Sequence, residues 1–189
     1  PQGWVKNQDL VLKFYNDRRR QLKEVKPNVA HEALIQLEEK NDVVVITQNV
    51  DNLHERAGSS NIVHLHGELN KARCTKYHND VILWTEDLYT GDLSSAGYQL
   101  RPHIVWFGED VPMLNTAVGE MRDADIAIII GTSLQVYPAA SLIGFVPDNC
   151  NVYYVDPKPH MSWELKQRKN LEVIEKNAGI GVVKLVDEI

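Results

Sequence analysis

Cysteine is scarce in this sequence: 189 residues hold only Cys74 and Cys150, far apart and without paired spacing. That excludes a disulfide framework and points to a reducing compartment. Positive charge is not in excess either. Lys and Arg number 20 against 26 Asp and Glu, a formal net charge of −6. A broad basic surface for nucleic acid is therefore excluded, leaving only a local patch at Arg18 to Arg20. No apolar run is long enough to span a bilayer. No signal-peptide pattern opens the chain, although the first residue is Pro1 and not Met. The expected location is the cytoplasm, with no membrane partner. Internal repeats and low-complexity segments are absent, and nothing in the pattern fixes an oligomeric state.

The hydrophobic content is 43%, enough at this length for one sizeable core or a main domain with a small insert. Asn7 to Leu22 has helical spacing, with Leu10, Phe14 and Arg18 on one face and Tyr15 beside Arg18 at i,i+3. Asn28, after Lys26-Pro27, predicts an N-cap for a helix carrying Val29, Ala33, Leu34 and Leu37. Asp42 to Thr47 is a β-branched run that reads as a buried parallel strand. Asn61 to Leu65 and His103 to Trp106 read as further extended segments. Met113, Leu114, Ala117, Val118 and Met121 have helical spacing. Ile126 to Ile130 and Val152 to Val155 read as strands, and Val182 to Val186 as a strand or short helix. Strands alternating with helices predict an α/β fold, a Rossmann-like doubly wound parallel sheet. Lys71 to Leu100 is polar and irregular, with turn signals at Asn79-Asp80 and Gly91-Asp92. The expected organisation is a main domain of residues 1–70 and 101–189 with a small insert at 71–100.

The chemistry-bearing residues follow the apolar runs. Gln48, Asn49 and Asp51 sit directly after a buried strand, where α/β sheets place their ligands. They suit amide and hydroxyl groups of a nucleotide, or equally the capping of a strand end. His66 precedes Gly67, whose missing side chain lets backbone approach a ligand. A histidine there can serve as a base near neutral pH; taken alone, His54, His64 and His66 each read more readily as structural. Gly131, Thr132 and Ser133 end the most apolar strand and suit phosphate or ribose, or an ordinary turn. Asp156 ends the next strand, where an acid accepts from ribose hydroxyls or opens a turn before Pro157. Val105, Trp106 and Phe107 form a groove wall and peptide edge, or a core strand. Tyr15 and Arg18 present a phenol and a guanidinium suited to a carboxylate, or a solvated face. Glu109 to Pro112 reads as a specificity element or a turn.

Four motifs in order, QNVD, HLHGEL, RPHIVWFGE and GTSLQVYPAA, resemble the sirtuins, NAD-dependent protein deacylases. The resemblance runs from about the first helix to the C-terminus. FYNDRRR, Phe14 to Arg20, resembles the subgroup with a tyrosine and an arginine in the acyl pocket, which prefers succinyl- and malonyl-lysine. The resemblance implies NAD as cofactor and acylated lysine peptides or proteins as partners. It implies that His66 is the catalytic base, with Asn49 beside it. Gln48, Asn49, Val50 and Asp51 would line the nicotinamide and ribose pocket. Gly131, Thr132, Ser133, Asp156, Pro157, Lys158 and Ala178 would contact the cofactor. Val105, Phe107 and Gly108 would border the acyl-lysine tunnel, and Tyr15 and Arg18 would hold an acidic acyl group. The implied products are nicotinamide, free lysine and O-acyl-ADP-ribose.

The sequence departs from the family pattern twice. Sirtuins usually carry four cysteines as two CxxC pairs for a structural zinc. The corresponding insert here offers only Cys74, with His78 nearby, short of four ligands. No zinc is expected, and Trp84 and Leu88 are expected to hold the insert by packing. The family also begins with a strand and a glycine-rich loop; Pro1 to Trp4 starts after it, so the expectation is a sequence without that diphosphate cradle. Two further classes stay open: a non-catalytic module that holds ADP-ribose or acyl-peptide, and a mono-ADP-ribosyltransferase.

Overall fold

Asn7 closes one helix and opens the next in the computed structural model, which describes residues 1–189. It follows α1 (Gln2–Lys6) and caps α2 (Gln8–Glu24), its side chain accepting from the Leu10 N–H, one of the donors a helix start leaves free. The face shared by Leu10 and Phe14 is turned to solvent. The buried stripe is Leu12, Asn16, Arg19 and Leu22. Two of its four members are polar, so an apolar period alone points to the wrong face.

The chain divides into two compact units. One comprises Pro1–Lys26, Thr47–Leu53 and His64–Val111; the other comprises Pro27–Ile46, His54–Val63 and Pro112–Ile189. Strands β1 (Val45–Thr47) and β2 (Ile62–His64) form a two-stranded ladder, separated in sequence by the short helix α4 (Leu53–Ala57). Val45 N–H donates to Asn61 O, and Leu65 N–H to Thr47 O. Both bonds advance in the same chain direction, so the pair is parallel. β1 is shorter than the Asp42 to Thr47 run because its partner offers only three residues.

In the first unit, β3 (Gly67–Cys74) is flanked by β4 (Val81–Leu83) and β5 (Leu100–Ile104), both antiparallel to it. The segment read as irregular, 71–100, thus contributes to a three-stranded sheet. Leu12, Ala72, Leu88 and Leu100 form a buried cluster with Trp4 and Trp84 against it. Asn16 fastens α2 to this sheet region, donating to Leu88 O at 3.0 Å and accepting from Leu88 N–H at 2.9 Å. Arg19 Nε donates to Leu69 O at 2.8 Å. Those two polar residues set the height of α2, and with it the positions of Tyr15 and Arg18. Cys74 is fully buried, its sulfur accepting from the Ser94 hydroxyl and the Tyr77 N–H.

The second unit is a three-stranded parallel sheet, β6 (Ile126–Ile130), β7 (Asn151–Val155) and β8 (Leu171–Ile174), in that order. Alternation along the strands sends side chains to two cores. Ala127, Val152 and Tyr154 enter a cluster with Ile143, Val146 and Leu165. Ile128, Ile130, Tyr153 and Val155 turn to the other, with Ala30, Ala33, Leu34 and Leu37 of α3 (Val29–Glu38) and Val182 and Leu185 of α7 (Ala178–Glu188). Asn28 caps α3 as predicted, accepting from the Ala30 and His31 N–H groups. The remaining elements are α5 (Leu114–Arg122), a 3-10 turn (Ala139–Phe145) and α6 (Trp163–Gln167). A parallel sheet covered on both faces is the Rossmann-like arrangement expected. No helix is long and apolar enough to cross a membrane.

Candidate active site

Because β1 and β2 run parallel and in register, the residues just past their carboxyl ends meet. His66 Nδ1 lies 3.1 Å from Gln48 O. A carbonyl oxygen only accepts, so Nδ1 carries the proton of the neutral ring and Nε2 keeps the lone pair. His64, two residues earlier at the end of β2, sets its Nδ1 3.4 Å from Asn49 O. The intervening loop is held from within. Thr47 Oγ1 accepts from Asn49 N–H, Val50 O from Leu69 N–H, and Asp51 Oδ1 from Leu53 N–H. Asp51 therefore does the turn chemistry expected of its type. Asn49 is exposed, while Asn52, which the sequence did not single out, has a buried amide oxygen with no hydrogen-bond partner.

Beyond β5, Val105 N–H donates to His66 O at 2.9 Å, tying the RPHIVWFGE segment to the histidine. A tight turn follows: Glu109 N–H donates to Trp106 O, and Gly108 has φ +88°. A left-handed residue in the third position is the type II pattern, which glycine fits at no steric cost. Phe107 stands at the tip of this turn, 91% exposed. Glu109 closes the turn a second time by accepting from Trp106 N–H at 2.9 Å.

Glu109 also sits between two guanidinium groups, Arg101 at 2.6 Å and Arg73 at 3.1 Å, whose side chains are 9% and 8% exposed. Burial pushes its carboxyl pKa up, but the Arg101 and Trp106 hydrogen bonds and the two positive charges outweigh this and hold it below the usual carboxylate range. A depressed folded-state pKa gives stability that is present above the unfolded value and lost as pH falls through the folded one. Glu109→Gln is expected to cost about 2–3 kcal/mol at neutral pH, because two buried cations lose their counter-charge. In urea unfolding this deficit should narrow at about pH 4 and below; a deficit constant with pH would show that the carboxylate charge is not what matters.

Tyr15 and Arg18 project from α2 in the same unit. Tyr15 is half-buried and its oxygen accepts from Trp106 Nε1 at 2.8 Å. Burial raises the phenol pKa more than the Trp106 bond and the Arg101 and Arg18 charges lower it, so the group is a neutral phenol. Arg18 is exposed, its guanidinium 5.3 Å from the centre of the Phe14 ring.

The second unit carries the other predicted residues at the carboxyl ends of its strands. Gly131 follows β6 and donates its N–H to Val155 O. Thr132 Oγ1 accepts from Leu134 N–H, and Thr132 O accepts from the Tyr154 hydroxyl at 2.7 Å. The same hydroxyl accepts from His160 N–H at 3.0 Å. Tyr154, buried and absent from the expected site set, thus ties the Gly131–Ser133 loop to the loop after β7. There Asp156 Oδ1 accepts from Lys158 N–H at 2.7 Å across Pro157. Ser133 and Lys158 are exposed, and Ala178 starts α7 half-buried against the α3 core.

The model of the Sir2 family matches residues 1–138. An NAD-dependent protein deacylase of Helicobacter pylori strain J99 is 54% identical over 178 residues, 94% of this chain and 75% of the relative. The chain belongs to the Sir2 family. One from Bacteroides thetaiotaomicron is 50% identical over 191 residues, 98% of this Sir2 chain and 80% of the relative. Among solved structures, a Sir2 homologue in complex with NAD superposes with a TM-score of 0.87 at 35% identity, over 100% of this chain and 74% of that one. A mutant Sir2 homologue in complex with ADP-ribose gives 0.87 at 36% identity, over 99% and 76%.

A structural zinc does not fit the residues of this Sir2 chain. Cys74 is buried and hydrogen-bonded within the protein, and His78 is exposed; a tetrahedral site needs four N or S ligands.

Proposed function

We propose that this chain is an NAD-dependent protein-lysine deacylase that removes acetyl, succinyl and malonyl groups from acylated lysine peptides or proteins in the cytoplasm, with no nucleic-acid partner. The observation that carries the reading is the His66 ring, whose protonated Nδ1 faces Gln48 O and whose Nε2 is left as a base. The residues fit the cofactor: a buried amide oxygen without a partner, Asn52 Oδ1, lies in the loop that holds Gln48, Asn49, Val50 and Asp51. Polar loops also stand at two parallel strand ends, where α/β sheets take nucleotides. NAD, when bound, supplies a nicotinamide leaving group and the ribose that accepts the acyl oxygen. His66 Nε2 takes a proton from a ribose hydroxyl, with Asn49 beside it as the second catalytic residue. Gly131, Thr132, Ser133, Asp156, Pro157, Lys158 and the Ala178 backbone contact the cofactor. Val105, Phe107 and Gly108 border the acyl-lysine, and residues 71–100 form the small insert, held without zinc.

Tyr15 and Arg18 hold the far end of an acidic acyl group, since a phenol and a guanidinium are both donors to carboxylate. The test is nicotinamide release from NAD with succinyl-lysine and acetyl-lysine peptides, using the full-length protein. Arg18→Met is expected to lower desuccinylation about tenfold more than deacetylation, the worth of a charge-assisted hydrogen bond. Equal losses on both peptides would remove the acidic-pocket reading while leaving deacylation standing.

A further inference from the structure

We propose that Trp106 is a positioning residue for acyl-group selection: its indole N–H fixes Tyr15 as a hydrogen-bond donor toward an acidic acyl group. The proposal rests on the reading of Tyr15 and Arg18 as the residues that hold that group. A phenol oxygen donates one hydrogen bond and can accept others, whereas an indole N–H only donates. Trp106 Nε1 donates to the Tyr15 oxygen at 2.8 Å. The contact occupies an acceptor position of the phenol and turns its O–H elsewhere. An ionised carboxylate only accepts, so it is the partner such a phenol matches. The methyl end of an acetyl group has no oxygen there and gains nothing from the donor. Selection between acidic and neutral acyl groups then depends on Trp106, which need not touch the substrate.

Trp106 is itself held firmly. The Arg101 guanidinium lies 3.3 Å from the centre of its ring, and the Trp4 ring centre is 5.8 Å away. Its backbone N–H is taken by Glu109, and Glu109 is clamped by Arg101 and Arg73. An indole stacked on one side by a cation and fixed through its own backbone cannot swing its N–H away without breaking those contacts. The neutral state of the Tyr15 phenol, favoured by its burial, keeps the proton that the donor role needs.

A packing role needs the ring of Trp106; the positioning role needs its N–H. Trp106→Phe keeps an aromatic ring and deletes the donor. In the full-length protein at saturating NAD, it is expected to lower the ratio of kcat/KM for a succinyl-lysine over an acetyl-lysine peptide about five- to tenfold, mostly through KM. In a Tyr15→Phe background the same change should leave the ratio where Tyr15→Phe alone puts it, because the phenol to be oriented is gone. An unchanged ratio in Trp106→Phe overturns the proposal, as do equal losses on both peptides or losses that multiply in the double variant. Should Trp106→Phe fail to fold, a tryptophan analogue with sulfur in place of the ring N–H, placed at position 106, keeps the shape and makes the same test. Tyr15→Phe and Arg18→Met separate the two levels of failure. If both leave the ratio at its wild-type value, the acidic-pocket reading falls and this proposal with it. If they lower it and the position-106 variants do not, only the role of Trp106 is overturned.

Discussion

His66→Ala is expected to abolish multiple turnover of the deacylation, a loss of about 10²–10⁴-fold or more for removal of a general base, while the protein remains folded. The ring is half-buried and outside the apolar clusters. Its bond to the fold in this structure is the one to Gln48 O. Losing one partner of a backbone carbonyl costs about 1 kcal/mol, too little to unfold a domain of ordinary stability. The backbone at this turn is held by other means, since Val105 N–H donates to the backbone oxygen of residue 66 whatever its side chain. Multiple-turnover deacylation of acetyl- and succinyl-lysine peptides, beside thermal unfolding of both proteins, gives the answer. Turnover retained by a folded variant would sink the assignment of His66 as base. A wild-type protein that binds ADP-ribose tightly but releases no nicotinamide would instead favour the binding-module reading.

Elements whose local preference agrees with their burial were legible in the sequence. Asn28 caps α3 because its side chain suits a helix start in any context. From Ala127 to Ile130 the strand sends side chains alternately into two apolar clusters and reads as a continuous apolar run for that reason, although Ile126 is exposed. Strand β8 went unread: Glu172 and Val173 are exposed in it, so Leu171–Ile174 carries little pattern. Residues 71–100 looked irregular because β4 has only three residues, two of them exposed, and the rest is turns. The buried face of α2 was hidden by its chemistry. Asn16 and Arg19 are buried because backbone groups of Leu88 and Leu69 receive them, and no helical period announces that.

The site was legible as a set of residue types and much less so as a set of relations. Gln48 and His66 stood out as polar residues after apolar runs. Which ring nitrogen of His66 bears the proton depends on a backbone carbonyl 18 residues away in sequence. Trp106 was read as a groove wall or core, and its bond to Tyr15 spans 91 residues. Glu109 was left between turn and specificity element. It closes the turn and anchors two buried arginines at once, because one carboxylate has enough acceptor positions for both tasks.

Gly67→Ala is expected to be the most destabilising of the single substitutions considered, by roughly 3–5 kcal/mol. The expected reason for this glycine was backbone approach to a ligand; the approach found is to a neighbouring strand. Gly67 has φ +82°, and a Cβ there would lie 2.0 Å from His103 O and 2.9 Å from its carbon. Left-handed backbone at a non-glycine residue costs about 1–3 kcal/mol, and overpacking against fixed atoms typically about 1–3 kcal/mol more. No rotamer relieves the clash, because a methyl has none and the obstacle is backbone. The strand pair must open where Gly67 faces Ile104, which also strains the adjacent bond from Val105 N–H to His66 O. Stability and turnover should therefore fall together, unlike in His66→Ala, where turnover falls with little loss of stability. Urea unfolding and multiple-turnover deacylation on the same preparation separate the two patterns. A stability loss below about 1 kcal/mol, the scale of a surface substitution, would mean that β3 and β5 are not held together here as tightly as the geometry requires.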